Sequence, residues 1–216
     1  MLDVLAEQGF HPRIIRLDQD DRLPDPSQFS LAVTLGRGPL ADGGETGRST
    51  AELDWLRKAD RAGTAVLGVG SGAQALAVAL GGAVERATKP RHAWVWMSSS
   101  APGWIAAGPW LAWRDDVIRL PTQAKVLARD PVGPQVFGAG RHLGIQFHPQ
   151  VTPPILGKWV TRATGPTLDA QWILEVTSRE FAAASAAARR LLSTYLHSLV
   201  RASGRDPIDH EDHSND

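Results

Sequence analysis

The sequence predicts a three-layer α/β fold, and three observations predict it. Strand-like and helix-like apolar patterns alternate from Leu31 to Gly82. Within that stretch Thr64-Ala65-Val66-Leu67-Gly68-Val69 is a near-continuous apolar run, the composition of a strand covered on both faces. It passes through Gly70-Ser71-Gly72 directly into the helical pattern Ala73–Leu80, the strand–turn–helix core of an α/β sheet. Short strands then crowd residues 91–148, and helical patterns close the chain.

Taken in order, residues 2–8 read as a short helix stopped at Gly9, which relieves the left-handed turn at a helix end. Arg13–Leu17 reads as a strand closed by the acidic turn Asp18–Asp21, and Leu31–Leu35 as a second strand after the breakers Pro24 to Ser27. A Gly-rich loop from Gly36 to Gly47 leads to a helix over 51–62, with Ser49 or Thr50 as its cap. The helix after the Gly turn stops at Gly81-Gly82. Strands are expected at 93–97, 110–113, 117–120, 125–128, 135–138 and 143–147, with Trp94 and Trp96 on one sheet face. Helices follow at 155–162, 169–184 and 186–202. Residues 1–165 form the expected main domain, 166–204 a helical extension packed on it, and 205–216 a polar tail without enough apolar surface to fold.

Composition removes several functions. The 216 residues carry 23 Lys+Arg against 23 Asp+Glu, a balance that argues against binding nucleic acid, whose affinity comes from clustered Lys/Arg. No cysteine is present, which excludes disulfides, thiolate zinc sites and a cysteine nucleophile. No run approaches the roughly 20 apolar residues of a membrane helix. Met1-Leu2-Asp3-Val4 lacks the order of a signal peptide. A soluble cytoplasmic protein is expected, with no metal and no cofactor.

Chemistry is expected at two places. A strand ending in a Gly-flanked turn that launches a helix is a nucleophile elbow, with backbone amides placed to stabilise an oxyanion. Here it spells Gly68-Val69-Gly70-Ser71-Gly72-Ala73-Gln74. Such a turn also suits phosphate, but neither G-x-G-x-x-G nor a G-K-[ST] ending is present. The second place is Gly144-Ile145-Gln146-Phe147-His148-Pro149-Gln150, where a His at a strand end suits a general base. On pattern alone a lone His after a strand is more often structural.

Together these residues resemble the class I glutamine amidotransferases, in particular free-standing members similar to the amidotransferase domain of GMP synthase. The resemblance covers about residues 2–200. It rests on the Gly36-Arg37-Gly38-Pro39 loop, the elbow running into Ala77–Gly82, Trp113-Arg114-Asp115-Asp116, and Gly144–Pro149 with Val151-Thr152. It implies a flavodoxin-like α/β/α sandwich. It also implies a Cys–His–Glu triad that hydrolyses glutamine and releases ammonia to a synthase partner. Carried onto this chain, the nucleophile position is Gly70, the base His148 and the orienting position Gln150. Gly38 and the Ser71 N–H match the oxyanion hole, and Gln74 a residue that holds substrate glutamine. Arg37 and Arg114 fall in loops bordering the implied pocket, where two guanidinium groups can bind a carboxylate.

The departures set the functional expectation. Glycine supplies no nucleophile, and neutral Gln150 accepts a hydrogen bond but does not stabilise an imidazolium as a carboxylate does. In Ser–His–Asp enzymes, loss of the nucleophile alone costs on the order of 10⁶ in turnover. A pseudoenzyme that binds a small ligand in the vestigial pocket, or a synthase or other biosynthetic partner protein, is expected. Two alternatives stay open: a hydrolase using Ser71 or a water with His148 as base, and an inactive subunit docked on a synthase. The Ser71 route needs a one-residue register shift, and a helix-capping role suits Ser71 better. Asp209–His213 has metal-ligand residue types but sits in the polar tail. Of the eight tryptophans, Trp104 and Trp110 are expected to be the exposed ones. Family members open with a strand before a helix like that at 2–8, whereas this sequence opens at the helix. A start further upstream, closure of the gap by other strands, or a strand from another chain would each satisfy the sheet.

Overall fold

The computed structural model describes residues 1–16, 22–36, 50–162 and 169–202. Five parallel or antiparallel strands and one two-residue strand form the main sheet. β1 (Leu31–Leu35), β2 (Ala65–Val69) and β8 (His142–Ile145) run parallel at one end of it. β7 (Pro134–Ala139), β6 (Lys125–Arg129) and β4 (Ser98–Ser99) extend it antiparallel, giving the order β1-β2-β8-β7-β6-β4. β3 (Ala83–Val95) and β5 (Trp110–Arg119) pair as a separate antiparallel ribbon.

Helices cover both faces. α1 (Leu2–Glu7) and the 33-residue α5 (Ala170–Ala202) lie on one face, where Val4, Leu5, Leu191 and Leu199 cluster with Leu67, Val69 and Ile145. α2 (Thr50–Arg61) and α3 (Ser71–Ala79) lie on the other, where Leu56 and Leu76 pack with Val66, Ile118 and Phe137. β2 is buried at every residue, as its unbroken apolar run requires. Gly72 brings α3 against the sheet: a Cβ there would lie 2.1 Å from the Thr34 carbonyl oxygen. α4 (Pro153–Arg162) and the first half of α5 enclose a third cluster with Trp94 and Leu111. The three-layer α/β expectation holds.

Several element readings need correction. Residues 13–16 form no strand, and Leu17 and the Asp18–Asp21 turn lie outside the described residues. A strand needs a ladder partner, and residues 13–16 have none among the described residues. The strands at 110–113 and 117–120 are one strand, because Arg114 and Asp116 are buried there as charged partners rather than exposed in a loop. β3 begins ten residues before the predicted Ala93, at Ala83, its charged residues facing outward on a half-exposed ribbon. The helices 169–184 and 186–202 are one, since Ala182–Ala188 contains neither Gly nor Pro to break it. Thr50 lies inside α2, and Ser49 lies outside the described residues. Trp96 falls past the end of β3 and is 61% exposed, so it does not share the buried face of Trp94. Trp110 is 1% exposed and stacks on Phe147 at 4.3 Å, while Trp104 is half-buried. The tail 205–216, including Asp209–His213, lies outside the described residues. Among the described residues no helix is long and apolar enough to cross a membrane, and no group of metal-ligating side chains forms.

One buried ion pair ties the ribbon to the sheet. Arg114 donates from Nη2 to Asp130 Oδ2 at 2.8 Å, both side chains being under 5% exposed. The other carboxylate oxygen accepts the Val132 and Gly133 N–H groups and shapes the β6–β7 turn. Asp130→Ala leaves the guanidinium buried without its counter-charge, and chemical denaturation is expected to show a loss of about 3–5 kcal/mol. Asp54→Ala, which removes the exposed pair with Arg57, is expected to lose under about 1 kcal/mol in the same assay.

Candidate functional site: the Gly70 elbow and His148

The elbow forms because β2 must turn sharply into α3. Gly70 caps that helix with φ 61° and ψ −125°, a conformation that side-chain-bearing residues rarely adopt. Its N–H donates to the Ile145 carbonyl at 2.8 Å, and its own carbonyl accepts from Ala73 and Gln74. Gly70 therefore binds the end of β8 to the start of α3, which brings His148 over the turn. A Cβ on Gly70 would lie 2.5 Å from His148 Cε1 and 3.2 Å from each ring nitrogen. The imidazole stands where a side chain at position 70 would begin.

The ring is fixed on all sides. Its backbone N–H donates to the Leu111 carbonyl at 2.9 Å. Nε2 lies 3.1 Å from the Trp113 carbonyl oxygen, and Nδ1 lies 3.1 Å from Gln150 Nε2. A carbonyl only accepts, so Nε2 carries the proton and donates it to Trp113. In the neutral ring Nδ1 then accepts from the Gln150 amide. Trp159 from α4 meets the ring edge-on at 4.9 Å, and it also touches Trp113, on which His92 stacks at 4.6 Å. This enclosure pushes the His148 pKa down from 6.5 to about 4, opposed by the Trp113 carbonyl that favours the protonated ring. Both nitrogens of a neutral imidazole are engaged. Gln150 Oε1 is buried and has no partner among the described residues.

The remaining predicted residues divide. Ser71 is the first residue of α3 and not its cap; Gly70 holds that position, and no side chain caps the helix. As a first-turn residue, Ser71 keeps an N–H with no intrahelical partner. Its hydroxyl oxygen lies 1.7 Å from where a Cβ on Gly36 would stand. Gln74 is buried one turn further on, with Oε1 unpartnered among the described residues. Arg114 does not border the site as a free cation: its place within β5 directs it to Asp130 in the interior. Arg37 and Gly38 lie outside the described residues. The cavity behind His148, lined by Trp94, Leu111, Thr177 and Phe181 among others, is about 20 Å³, room for little more than a water. Sequence reasoning missed Trp159 and the Trp113 main-chain carbonyl. A tryptophan on an amphipathic helix reads as packing, and a backbone acceptor leaves no mark in sequence.

Two measurements test this geometry. Gly70→Ala introduces both the strained φ and the overlap with Cε1, and thermal melting is expected to fall by the equivalent of about 1–3 kcal/mol. Because the folded His148 pKa is depressed, the unfolded chain takes up its proton first as pH falls. Stability from this group is complete above pH 6.5 and declines towards pH 4, by no more than about 3 kcal/mol. His148→Gln, compared with the parent by denaturation across that window, is expected to flatten the decline; parallel curves would contradict the assignment.

Comparison with known proteins agrees with this architecture. No family model matches the chain. GMP synthase [glutamine-hydrolyzing] of Aeropyrum pernix is 29% identical over 175 residues, covering 75% of this chain and 33% of that protein. The enzyme of the same name from Edwardsiella ictaluri is 31% identical over 148 residues, covering 59% of this chain and 28% of that one. The chain thus spans about a third of the length of these relatives. Among solved structures, a glutamine amidotransferase from Methylobacillus flagellatus superposes with a TM-score of 0.82 at 20% identity, covering 98% of this chain and 92% of its own. One from Thermotoga maritima gives 0.76 at 23%, covering 91% of each. With the elbow, the Gln-Phe-His-Pro turn and the sandwich in place, this chain shares the fold of these glutamine amidotransferases and is similar in sequence to part of the GMP synthases.

Proposed function

We propose that this chain is an amidotransferase-like pseudoenzyme with a degenerate triad, and that it acts by binding a synthase-type partner rather than by hydrolysing glutamine. One observation carries the reading: the imidazole of His148 gives its only proton to the Trp113 carbonyl and its only lone pair to Gln150. A general base needs a vacant lone pair within reach of the proton it removes, and here none is vacant. No nucleophile stands at Gly70, and the ring fills the space one would occupy. Gln150 supplies a donor where a carboxylate would stabilise an imidazolium, and burial separately holds the His148 pKa down at about 4.

The partner reading draws on the relatives, glutamine-hydrolysing GMP synthases about three times longer than the matched segment. A small ligand above Gly70 is less well supported, because the imidazole and Trp159 already fill that space. The Ser71 hydrolase is disfavoured by a hydroxyl that faces Gly36 and makes no hydrogen bond to His148 among the described residues.

The test is release of ammonia from glutamine by the purified protein. No turnover above that of His148→Ala is expected, and turnover that His148→Ala abolishes would overturn the proposal. The double variant Gly70→Cys with Gln150→Glu is expected to stay at least 10³-fold below an intact triad, since the new Cβ meets the ring at 2.5 Å.

A further inference from the structure

Where the chain leaves β8 for the His148 turn, two glutamines face each other across the sheet. Val136 pairs with Ile145, so the next step of the register sets Gln135 opposite Gln146. The Gln146 N–H donates to the Gln135 carbonyl at 2.7 Å, which confirms that step. Opposed residues of an antiparallel pair put their side chains on one face, with Cβ atoms about 4.5–5.5 Å apart. That face is the one under α2 and α3. Val136, Ile145 and Phe147, the chain neighbours of the two glutamines, all point into the cluster beneath α1 and α5. Phe137, which alternates with Val136 as Gln135 does, joins Leu56 and Leu76 on the other side. Both glutamines are interior residues, 1% and 2% exposed.

Their carboxamides are left unsatisfied by the protein. Nε2 and Oε1 of Gln135, and Nε2 and Oε1 of Gln146, are all buried and make no hydrogen bond to each other or to any described residue. A buried donor or acceptor without a partner forfeits its whole hydration, so polar atoms at this depth are met by protein or by ordered water. Two polar groups on neighbouring positions that do not bond directly are spaced for a bridging molecule. That molecule must donate to each Oε1 and accept from each Nε2. An anion would leave both carbonyl oxygens unmet, and a cation both amide nitrogens. Water meets these terms: it donates twice, accepts twice and is a single heavy atom.

We propose that Gln135 and Gln146 hold ordered internal water between their carboxamides, on the α3 side of the β7–β8 ladder. The bridge carries the pairing of the two strands one step further, by side chain and water, at the place where the main-chain ladder stops. Gln146 follows Ile145, whose carbonyl holds Gly70, and precedes Phe147 and His148, so the water steadies the chain between those two anchors. The site is independent of whether the elbow is active.

The full-length protein is examined by NMR for cross-relaxation between water and the side-chain amide protons of Gln135 and Gln146. Both Nε2–H groups are expected to show cross-peaks to water. Oxygen-17 relaxation dispersion on the same protein is expected to report long-lived internal water. The double variant Gln135→Met with Gln146→Met is expected to lose the amplitude of at least one such molecule. Should that variant fail to fold, the cross-peaks of the unaltered protein decide the matter. Amide signals without a water cross-peak, or a dispersion amplitude that the double substitution leaves unchanged, would each overturn the proposal. So would a crystal structure in which the two carboxamides bond directly to each other.

Discussion

The bond from Gly70 N–H to the Ile145 carbonyl is the constraint from which the site follows. It joins the end of the buried strand β2 to the end of β8 and fixes where the chain leaves the sheet on both sides. On one side the backbone must enter α3 through a conformation suited to glycine. On the other, three residues on, the chain must turn with His148 directly above. The turn and the imidazole are therefore adjacent because two parallel strands are hydrogen-bonded in register, whatever side chain stands at position 70. The architecture of the elbow rests on main-chain geometry.

Absence of a side chain at the elbow has a packing consequence as well as a chemical one. The ring lies within 2.5 Å of where a Cβ would stand, so Gly70 is part of the contact surface of His148. Trp159 closes the other side, and α4 and the first half of α5 pack as a cluster behind it. A histidine held this way is a neutral core group, and its low pKa expresses enclosure rather than readiness to take a proton at neutral pH.

What was legible in the sequence follows the strength of each local signal. The β2–Gly–α3 unit was readable because a continuous apolar run, a glycine turn and an alanine-rich helix agree on one structure. The Gly70/His148/Gln150 juxtaposition was readable through resemblance, and the structure places these three together. Arg114 was misread because a Trp-Arg-Asp-Asp run looks like a loop. Its burial depends on Asp130, sixteen residues away, which local pattern cannot supply. The strand at 13–16 fails for a similar reason: propensity offers a strand, but only a neighbouring ladder makes one. Trp110 went inside because Phe147, on a distant segment, stacks against it.

The acceptor that orients His148 is the peptide oxygen of residue 113, in the middle of the β3–β5 ribbon. Every amino acid carries that oxygen. Drift in the identity of residue 113 therefore leaves the ring where it is, whereas an insertion or deletion anywhere along the ribbon's paired length would swing the oxygen away and free the imidazole.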